Sequence, residues 1–211
     1  MTTERSGGVD HPSPLSEATA PGGPLELLRS WLDHARQSGV HLPNTMVVAT
    51  ATPDGAPSSR AVVLREVRDD GLVFYTDYLS RKARELEANP RAACLLLWPE
   101  LQRQVRAEGP VSLLTPAESD AYFATREREA QIEAWASRQS AVIPDRSWLE
   151  KRFSEFEAKF DSRPVPRPDS WGGFRVGVES CEFWQGQPGR MHDRLVYARD
   201  GAGWRITRLA P

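Results

Sequence analysis

This sequence has few cysteines, no long apolar run and no large imbalance of charge. It contains only two cysteines among 211 residues, Cys94 and Cys181, and neither belongs to a CxxC pair. A disulfide scaffold and a zinc site are therefore not indicated, and both cysteines are expected to be small buried residues in the reducing cytoplasm. The formal net charge of −2 argues against a protein that binds nucleic acid or a membrane surface. No stretch approaches the roughly 18 apolar residues of a membrane span.

Four motifs of common cofactor and hydrolase sites are also absent. The sequence has neither a GxGxxG after a predicted strand nor a GxxxxGK[ST], so a Rossmann dinucleotide site and a P-loop are not supported. It also lacks the GxSxG nucleophile turn and the HExxH zinc helix. No metal site is expected, and any cofactor must be held by another arrangement of residues.

The distribution of apolar residues predicts an α+β fold built on a small β-barrel. Residues 1–23 are poor in large apolar side chains and are expected to form a flexible arm, which leaves 24–211 as the folded domain. A helix is predicted to begin near Pro24 and to stop at Gly39. Its apolar stripe is formed by Leu25, Leu28, Trp31, Leu32 and Ala35.

Antiparallel strands at short spacing, with a few inserted helices, are predicted for the rest of the chain. The strands are expected over 46–50, 60–67, 72–76, 92–98 and 102–114, followed by a three-strand meander from residue 174. The helices are expected over 116–139, unevenly, and over 146–160. Residues 92–98 are almost continuously apolar, which predicts burial on both faces of that strand, and the next strand is predicted to bend at Gly109-Pro110.

Three cationic side chains alternate near the C-terminus. Arg190, His192 and Arg194 stand at every second position, after an aromatic run and a turn. In a strand they would share one face, with neighbours roughly 6.5–7 Å apart. Two positive charges at that spacing repel by about 2.4 kcal/mol at an effective dielectric constant near 20. A solvated strand tolerates this repulsion, whereas a half-buried one needs an anion in front of it.

A candidate phosphate site lies in the segment YTDYLSRKARELEANP. Ser80 is predicted to cap a helix that Arg81 and Lys82 begin and Asn89 ends. Two cations in a first turn oppose the helix dipole, but a phosphate at that position would meet both cations and free backbone N–H groups. The alternative is that both side chains point into solvent.

Other polar residues are weaker candidates. Arg60 and Arg65 bracket the strand RAVVLR, which is also typical of an edge strand with charged ends. Gln104 and the pair Gln139-Ser140 offer amide and hydroxyl groups that suit the carbonyls and ring nitrogens of a heterocycle. Taken singly, such groups are more often ordinary surface residues.

Taken together, these segments resemble the pyridoxamine 5′-phosphate oxidase family in order and spacing. The segments that carry the resemblance are RAVVLRE, VFYTDYLSRKARELEANPRA, RQVRAEGPV, EAWASRQS, WGGFRV, EFWQGQPGRMHDR and RLAP. They cover roughly residues 44–211, and EFWQG-x3-RMHDR is the most specific. The resemblance implies a split β-barrel homodimer that binds FMN at its interface and passes electrons from a heterocyclic substrate to O2, with release of H2O2.

The resemblance also implies roles for individual residues. The implied FMN contacts are Arg60, Ala61, Val62, Val63, Leu64, Arg65, Tyr75, Thr76, Arg81, Lys82, Gln104, Gln139, Ser140, Trp184 and Arg194. The implied substrate positions are Arg65, Tyr122, Arg126, Ala130, Arg190 and His192. Among these, His192 and Arg190 are the implied catalytic residues, which orient the substrate and handle its proton.

This chain departs from the vitamin B6 oxidases of the family at the substrate phosphate. Those enzymes hold the phosphate with Lys, Tyr, Arg and Ser, where this chain has Arg65, Tyr122, Arg126 and Ala130. Ala130 lacks a donor to a charged group, a loss of about 1.5–3 kcal/mol. Glu127 and Glu129 add negative charge beside the same position. These changes weaken the case for a phosphate ester.

The N-terminal segments GGVDHPSPL and WLDHARQSGVHLP resemble the phenazine-biosynthesis branch of the family. The favoured substrate is therefore a reduced, carboxylated phenazine precursor of secondary metabolism. The alternative is pyridoxine or pyridoxamine 5′-phosphate, oxidised to pyridoxal 5′-phosphate. A third hypothesis is a flavin-binding protein without oxidase activity.

Overall fold

The computed structural model describes residues 13–211, which form a mixed fold of helices and antiparallel strands. The helices are α1 (Pro24–Gln37), α2 (Arg81–Ala88), α3 (Pro116–Ala124), α4 (Arg128–Ala136) and α5 (Arg146–Lys159). The strands are β1 (Thr45–Ala51), β2 (Pro57–Val63), β3 (Glu66–Arg68), β4 (Gly71–Asp77), β5 (Arg91–Trp98), β6 (Arg103–Leu113), β7 (Trp171–Val176), β8 (Ser180–Gln185), β9 (Asp193–Asp200) and β10 (Gly203–Arg208). Within residues 13–211 no helix combines the length and the apolar character that a membrane crossing requires.

The strands form a curled half-barrel in the order β10-β9-β8-β6-β5-β1-β2, with β7, β4 and β3 branching from β6. Strand β6 is shared, because its first part pairs with β8 and its last part with β7. The change of partner occurs at Gly109-Pro110, where a bend was predicted. A side chain at Gly109 would collide with the carbonyl oxygen of Gly177, so this close approach of two backbones requires glycine.

Helix α1 packs its predicted apolar stripe against the sheet. Pro24 lies at its start, and Gly39 beyond its end adopts a positive φ of 72° that glycine accepts without strain. All five predicted stripe residues are buried in the main core. Cys94 and Cys181 are free and buried in the same core, as predicted, and burial raises the pKa of Cys94 to about 12.

Two predicted strands are each divided in the structure. The strand predicted over 60–67 is interrupted because the N–H of Leu64 donates to the Asn44 carbonyl, whereas the N–H of Arg65 donates to the Val73 carbonyl. The chain thus leaves β1 and joins β4 at this point. The first strand of the predicted meander is divided into β7 and β8, so only β8, β9 and β10 form the meander.

Two further predictions about strands are wrong. Strand β5 is not buried on both faces, because only one face packs on the core and Leu97 on the other is 53% exposed. Arg190 and His192 do not share a strand face with Arg194. A short 3₁₀ turn, Pro188–Arg190, has positive φ angles at Gly189 and Arg190, and β9 begins only at Asp193.

The segment before α1 contacts the C-terminal strands. The N–H of Leu15 donates to Oδ2 of Asp193 (3.1 Å), and the Gln185 side-chain amide donates to the Ser13 carbonyl (2.8 Å). Arg208 donates to the Leu15 carbonyl (2.6 Å). Residues 13–21 therefore lie on the sheet, in contrast to the flexible arm predicted for 1–23. Residues 1–12 lie outside the described part of the chain.

A second, smaller core joins helices α3 to α5 to Trp171 at the start of β7. Its buried residues are Phe123, Ile132, Ala134, Phe160, Val165 and Trp171. This core joins the three helices to β7, the strand that pairs with β4. The space between the two cores is where most of the predicted site residues meet.

Candidate active site

A cavity of about 200 Å³ lies between the edge of the half-barrel and helices α2 to α4. Its lining residues are Ala61, Val62, Val63, Arg65, Tyr75, Thr76, Lys82, Tyr122, Arg126, Glu133, Gln139 and Trp171. All of these except Glu133 and Trp171 are positions that the family resemblance assigned to FMN or substrate. The fold therefore brings together residues from five separate stretches of sequence.

One wall of the cavity is a polar cluster around Lys82. Its Nζ lies 2.9 Å from Oγ1 of Thr76 and 2.5 Å from Oε1 of Gln139. Ser80 caps α2 as predicted, because its hydroxyl accepts the N–H of Ala83 (3.4 Å). Burial, followed by the charge of Arg60, lowers the pKa of Lys82 to about 8. An anion at this position would favour the charged lysine.

Arg81, which is next to Lys82, and Arg60 are linked by the carboxylate of Glu85, a residue that was not predicted from the sequence. Oε1 of Glu85 accepts from Nε of Arg81 (2.7 Å), and Oε2 lies 3.4 Å from Nη2 of Arg60. The hydroxyls of Ser58 and Thr50 also donate to Oε2. Burial opposes ionisation of Glu85, but these hydrogen bonds outweigh it and lower its pKa to about 2. The spacing of Glu85 four residues after Arg81 was the available signal.

The start of α2 is further tied to the segment that follows α4. The N–H of Arg81 donates to Oγ of Ser140 (3.1 Å), and Gln139 contacts both Thr76 and Lys82. The predicted pair Gln139-Ser140 thus lies at the N-terminus of α2. Helix α2 has no acidic residue in its first turn, so its positive end is not neutralised within the helix.

The opposite wall is a stack of aromatic rings. The ring centroids of Tyr75 and Tyr122 lie 3.9 Å apart and their planes are inclined by 15°, while Trp171 stacks on Tyr75 at 5.4 Å. Burial, then the charge of Glu66, raises the pKa of Tyr75 to about 12, so its phenol stays protonated. The guanidinium carbon of Arg65 lies 5.7 Å from the centroid of Tyr122.

Arg126 lies at the base of this stack with an unused donor. Its guanidinium carbon is 4.6 Å from the ring centroid of Trp171, and its Nη2 is 4.0 Å from Oε2 of Glu133. Nη1 is buried and has no hydrogen-bond partner among residues 13–211. A buried donor left unpaired costs about 1–3 kcal/mol. An anion in the cavity would satisfy this donor.

A second cluster lies on β6, β8 and β9. Arg194 makes a two-pronged ion pair with the buried carboxylate of Glu182, at 2.8 and 3.2 Å, and also donates to the Ala210 carbonyl (2.9 Å). Arg106 contacts the same carboxylate. Burial opposes the ionisation of Glu182, but its hydrogen bonds from Arg194 and Arg106 prevail and lower its pKa. Glu182 was not predicted, because its partners are on neighbouring strands.

His192 lies beside this cluster in a defined orientation. Its ring centroid is 4.8 Å from that of Trp184, and its Nδ1 accepts the N–H of Gln187 (3.1 Å). When the imidazole is neutral, this hydrogen bond assigns the proton to Nε2, which therefore serves as a donor. Gln104 pairs with Trp184 in the register of β6 and β8.

Within one chain the two clusters are separate. The cavity is not lined by Gln104, Trp184, Arg190, His192 or Arg194. Strand β8 is four strand positions from β2, which lines the cavity. One subunit thus presents two incomplete groups of the predicted flavin contacts.

Five further predicted positions are not among the residues that line the cavity: Arg60, Arg81 and Ser140, which belong to the polar network at the start of α2, together with Leu64 and Ala130. The side chain of Leu64 is buried in the main core, and Ala130 on α4 is not among the lining residues. Glu133, one helical turn after Ala130, lines the cavity instead. Sequence reasoning missed Glu133 because nothing in its local pattern distinguishes it from a surface residue of a helix.

Comparison with known proteins agrees with this architecture. Residues 32–160 match the family model described as pyridoxamine 5′-phosphate oxidase, and residues 171–211 match the pyridoxine 5′-phosphate oxidase C-terminal dimerisation region. The fold is that of the split-barrel oxidases. The chain belongs to the pyridoxamine 5′-phosphate oxidase family, and its C-terminal match supports a homodimer.

Individual relatives cover almost the whole chain. It is 54% identical over 197 residues to the pyridoxine/pyridoxamine 5′-phosphate oxidase of Rubrobacter xylanophilus, which covers 93% of this chain and 91% of the relative. It is 50% identical over 188 residues to the enzyme of the same name from Gluconobacter oxydans, covering 89% and 94%. The crystal structure of PhzG from Burkholderia lata, in complex with tetrahydrophenazine-1-carboxylic acid, superimposes with a TM-score of 0.88 at 35% identity and covers 92% and 95%. The predicted α+β split-barrel fold is confirmed.

Proposed function

We propose that this protein is an FMN-dependent oxidase of pyridoxine 5′-phosphate and its amine analogue, with pyridoxal 5′-phosphate as the product. The observation that carries the proposal is the buried Nη1 of Arg126, which has no hydrogen-bond partner within residues 13–211 and belongs to a residue that lines the same cavity as Lys82. This geometry offers two anion subsites, one at Arg126 and one at the start of α2, with aromatic rings between them.

The residues at the start of α2 fit the phosphate of FMN. Arg60, Arg81 and Lys82 supply positive charge, and α2 has no acidic residue in its first turn. The pKa of Lys82, lowered to about 8 by burial and by Arg60, marks a site that an anion would stabilise. Bound FMN would accept two electrons from the substrate as a hydride and transfer them to O2, which gives H2O2.

The aromatic wall and its arginines fit the substrate. Arg126 and Arg65 would hold the phosphate ester, and Tyr122 would contact the ligand beside them. The Nε2 proton of His192 would donate to a polar group of the substrate ring, with Arg190 next to it. We infer that His192, Arg190, Gln104, Trp184 and Arg194 reach each cavity from the partner subunit.

Oxidation of a reduced, carboxylated phenazine precursor is the second candidate. The match to PhzG supports it. The sequence favoured it because Ala130 lacks the hydroxyl of the B6 oxidases, because Glu127 and Glu129 lie beside that position, and because the N-terminal segments resemble the phenazine branch. In the structure, Ala130 does not line the cavity, whereas Arg65 and Arg126 both do. Two arginines suit a phosphate dianion better than a single carboxylate. The names of the relatives at 50% identity or more point in the same direction.

Aerobic turnover with two substrates tests the proposal. The purified protein, loaded with FMN, is mixed with pyridoxine 5′-phosphate, and the aldehyde product and H2O2 are measured; tetrahydrophenazine-1-carboxylic acid is tested in parallel. Equal yields of pyridoxal 5′-phosphate and H2O2 are expected. Turnover of the phenazine alone would support the second candidate. Flavin binding without turnover of either compound would indicate a binding protein.

A further inference from the structure

We propose that Glu133 is a specificity-determining residue, which lowers the affinity of the Arg126 subsite for a doubly charged phosphate. The inference rests on the proposed function, because it assumes that a phosphate ester binds at Arg126. Neither the periodicity of α4 nor the family resemblance assigned a role to this side chain. The role follows from the position of Glu133 in the lining of the cavity.

Glu133 lies close to Arg126 but makes no hydrogen bond to its guanidinium. The two side chains form an ion pair at 4.0 Å, which is beyond hydrogen-bond distance. Nη1 of the same guanidinium remains without a partner among the described residues. The Glu133 carboxylate therefore offsets the charge of Arg126 and leaves its donors free for a ligand.

A bound phosphate would lie close to this carboxylate. A phosphate ester carries about −1.5 to −2 charges at pH 7. Around Arg126 the cavity lining supplies two positive charges, from Arg65 and Arg126, and one negative charge, from Glu133. The Glu133 carboxylate lies 4.0 Å from Nη2 of Arg126, so it repels any anion that pairs with Nη1 of the same guanidinium. The repulsion grows with the charge of the ligand and vanishes for a ligand without an anionic group.

The matched variants Glu133→Gln and Glu157→Gln test this role. Both remove one negative charge from an exposed glutamate, but Glu157 lies on α5 and does not line the cavity. Dissociation constants are measured on the FMN-loaded dimer with two probes, pyridoxal 5′-phosphate and pyridoxal, which lacks the phosphate. Glu133→Gln is expected to bind pyridoxal 5′-phosphate about three- to tenfold more tightly and pyridoxal unchanged. Glu157→Gln is expected to change neither constant.

The outcomes separate this inference from the proposed function. If wild-type protein oxidises pyridoxine 5′-phosphate and Glu133→Gln binds pyridoxal 5′-phosphate no more tightly, the role of Glu133 is overturned and the proposed function stands. An equal gain in affinity for pyridoxal also overturns it, because the effect would then not depend on ligand charge. If neither wild type nor Glu133→Gln binds or oxidises the phosphate esters, both proposals are wrong.

Discussion

Nζ of Lys82 lies 2.9 Å from Oγ1 of Thr76, on a lysine side chain that is almost fully buried at the start of α2. Burying an ammonium group costs free energy unless an anion or strong acceptors compensate. Here the acceptors are a hydroxyl and the amide oxygen of Gln139, both neutral. This arrangement makes the charge of Lys82 depend on whether an anion is bound.

The affinity for FMN is expected to fall as the pH rises through about 8. The folded pKa of Lys82, about 8, lies below its ordinary value of 10.5, so the FMN-free protein loses this proton before the unfolded chain does. The FMN-free protein therefore gains stability between these two pH values, whereas binding of the FMN phosphate loses its charged partner. Fluorescence titration should show that the dissociation constant for FMN increases by up to about tenfold per pH unit above 8.

Lys82→Met should remove this pH dependence, and Lys151→Met, at an exposed position of α5, should retain it. A wild-type dissociation constant that stays flat from about pH 7 to about pH 10 would show that Lys82 does not contact the phosphate.

Glu85→Gln is expected to weaken FMN binding and to destabilise the fold by about 2 kcal/mol, because hydrogen bonds to a buried charge are lost at Arg60 and Arg81. The folded pKa of Glu85, about 2, lies below the ordinary 4.5. Its stabilising contribution is therefore present above pH 4.5 and is lost as the pH falls towards 2. Urea unfolding at neutral and acidic pH measures this contribution.

The comparison variant for Glu85 is Glu87→Gln, at an exposed position of the same helix. It should match wild type in stability and in FMN affinity. If both variants behave alike at neutral pH, Glu85 does not hold the two arginines in place.

Arg126→Met is expected to raise the KM for pyridoxine 5′-phosphate by about ten- to a hundredfold, since a charge-assisted hydrogen bond contributes about 1.5–3 kcal/mol. FMN affinity should not change, because Arg126 belongs to the proposed substrate subsite and not to the proposed FMN phosphate site. Arg126→Lys should recover part of the loss, and the exposed Arg146→Met should have no effect. A lower kcat at unchanged KM would contradict a role in phosphate binding.

Much of this fold follows from local sequence patterns. The stripe of α1 and the cap at Ser80 each depend on residues close together in the chain, and both are present. At Gly109-Pro110, where a bend was predicted, β6 changes its partner strand. The division of the strand at Leu64 and Arg65 could not be predicted in this way. It is set by hydrogen bonds to Asn44 and Val73, which only the folded sheet brings near.

The candidate site was also predictable only in part from the sequence. The family resemblance indicated the cavity residues other than Glu133 and Trp171, but it did not indicate the carboxylates Glu85 and Glu182. Glu85 pairs with Arg60 and Arg81, and Glu182 pairs with Arg194. Apart from Arg81, these partners come from other elements of the fold. The prediction that Arg190 and His192 share a strand face with Arg194 was wrong for a related reason. Arg190 has a positive φ and belongs to a 3₁₀ turn, and β9 begins only at Asp193.

The central claim is that each active site combines the cavity of one subunit with five residues of the other, namely Gln104, Trp184, Arg190, His192 and Arg194. It is tested most directly with heterodimers, purified through two different tags, in which one subunit carries Lys82→Met and the other Arg194→Gln. A shared site leaves one intact site per heterodimer, so the account predicts about half of the wild-type activity per dimer, far above either parental homodimer. Activity equal to the mean of the two parental homodimers would contradict it, because each site would then be complete within one subunit.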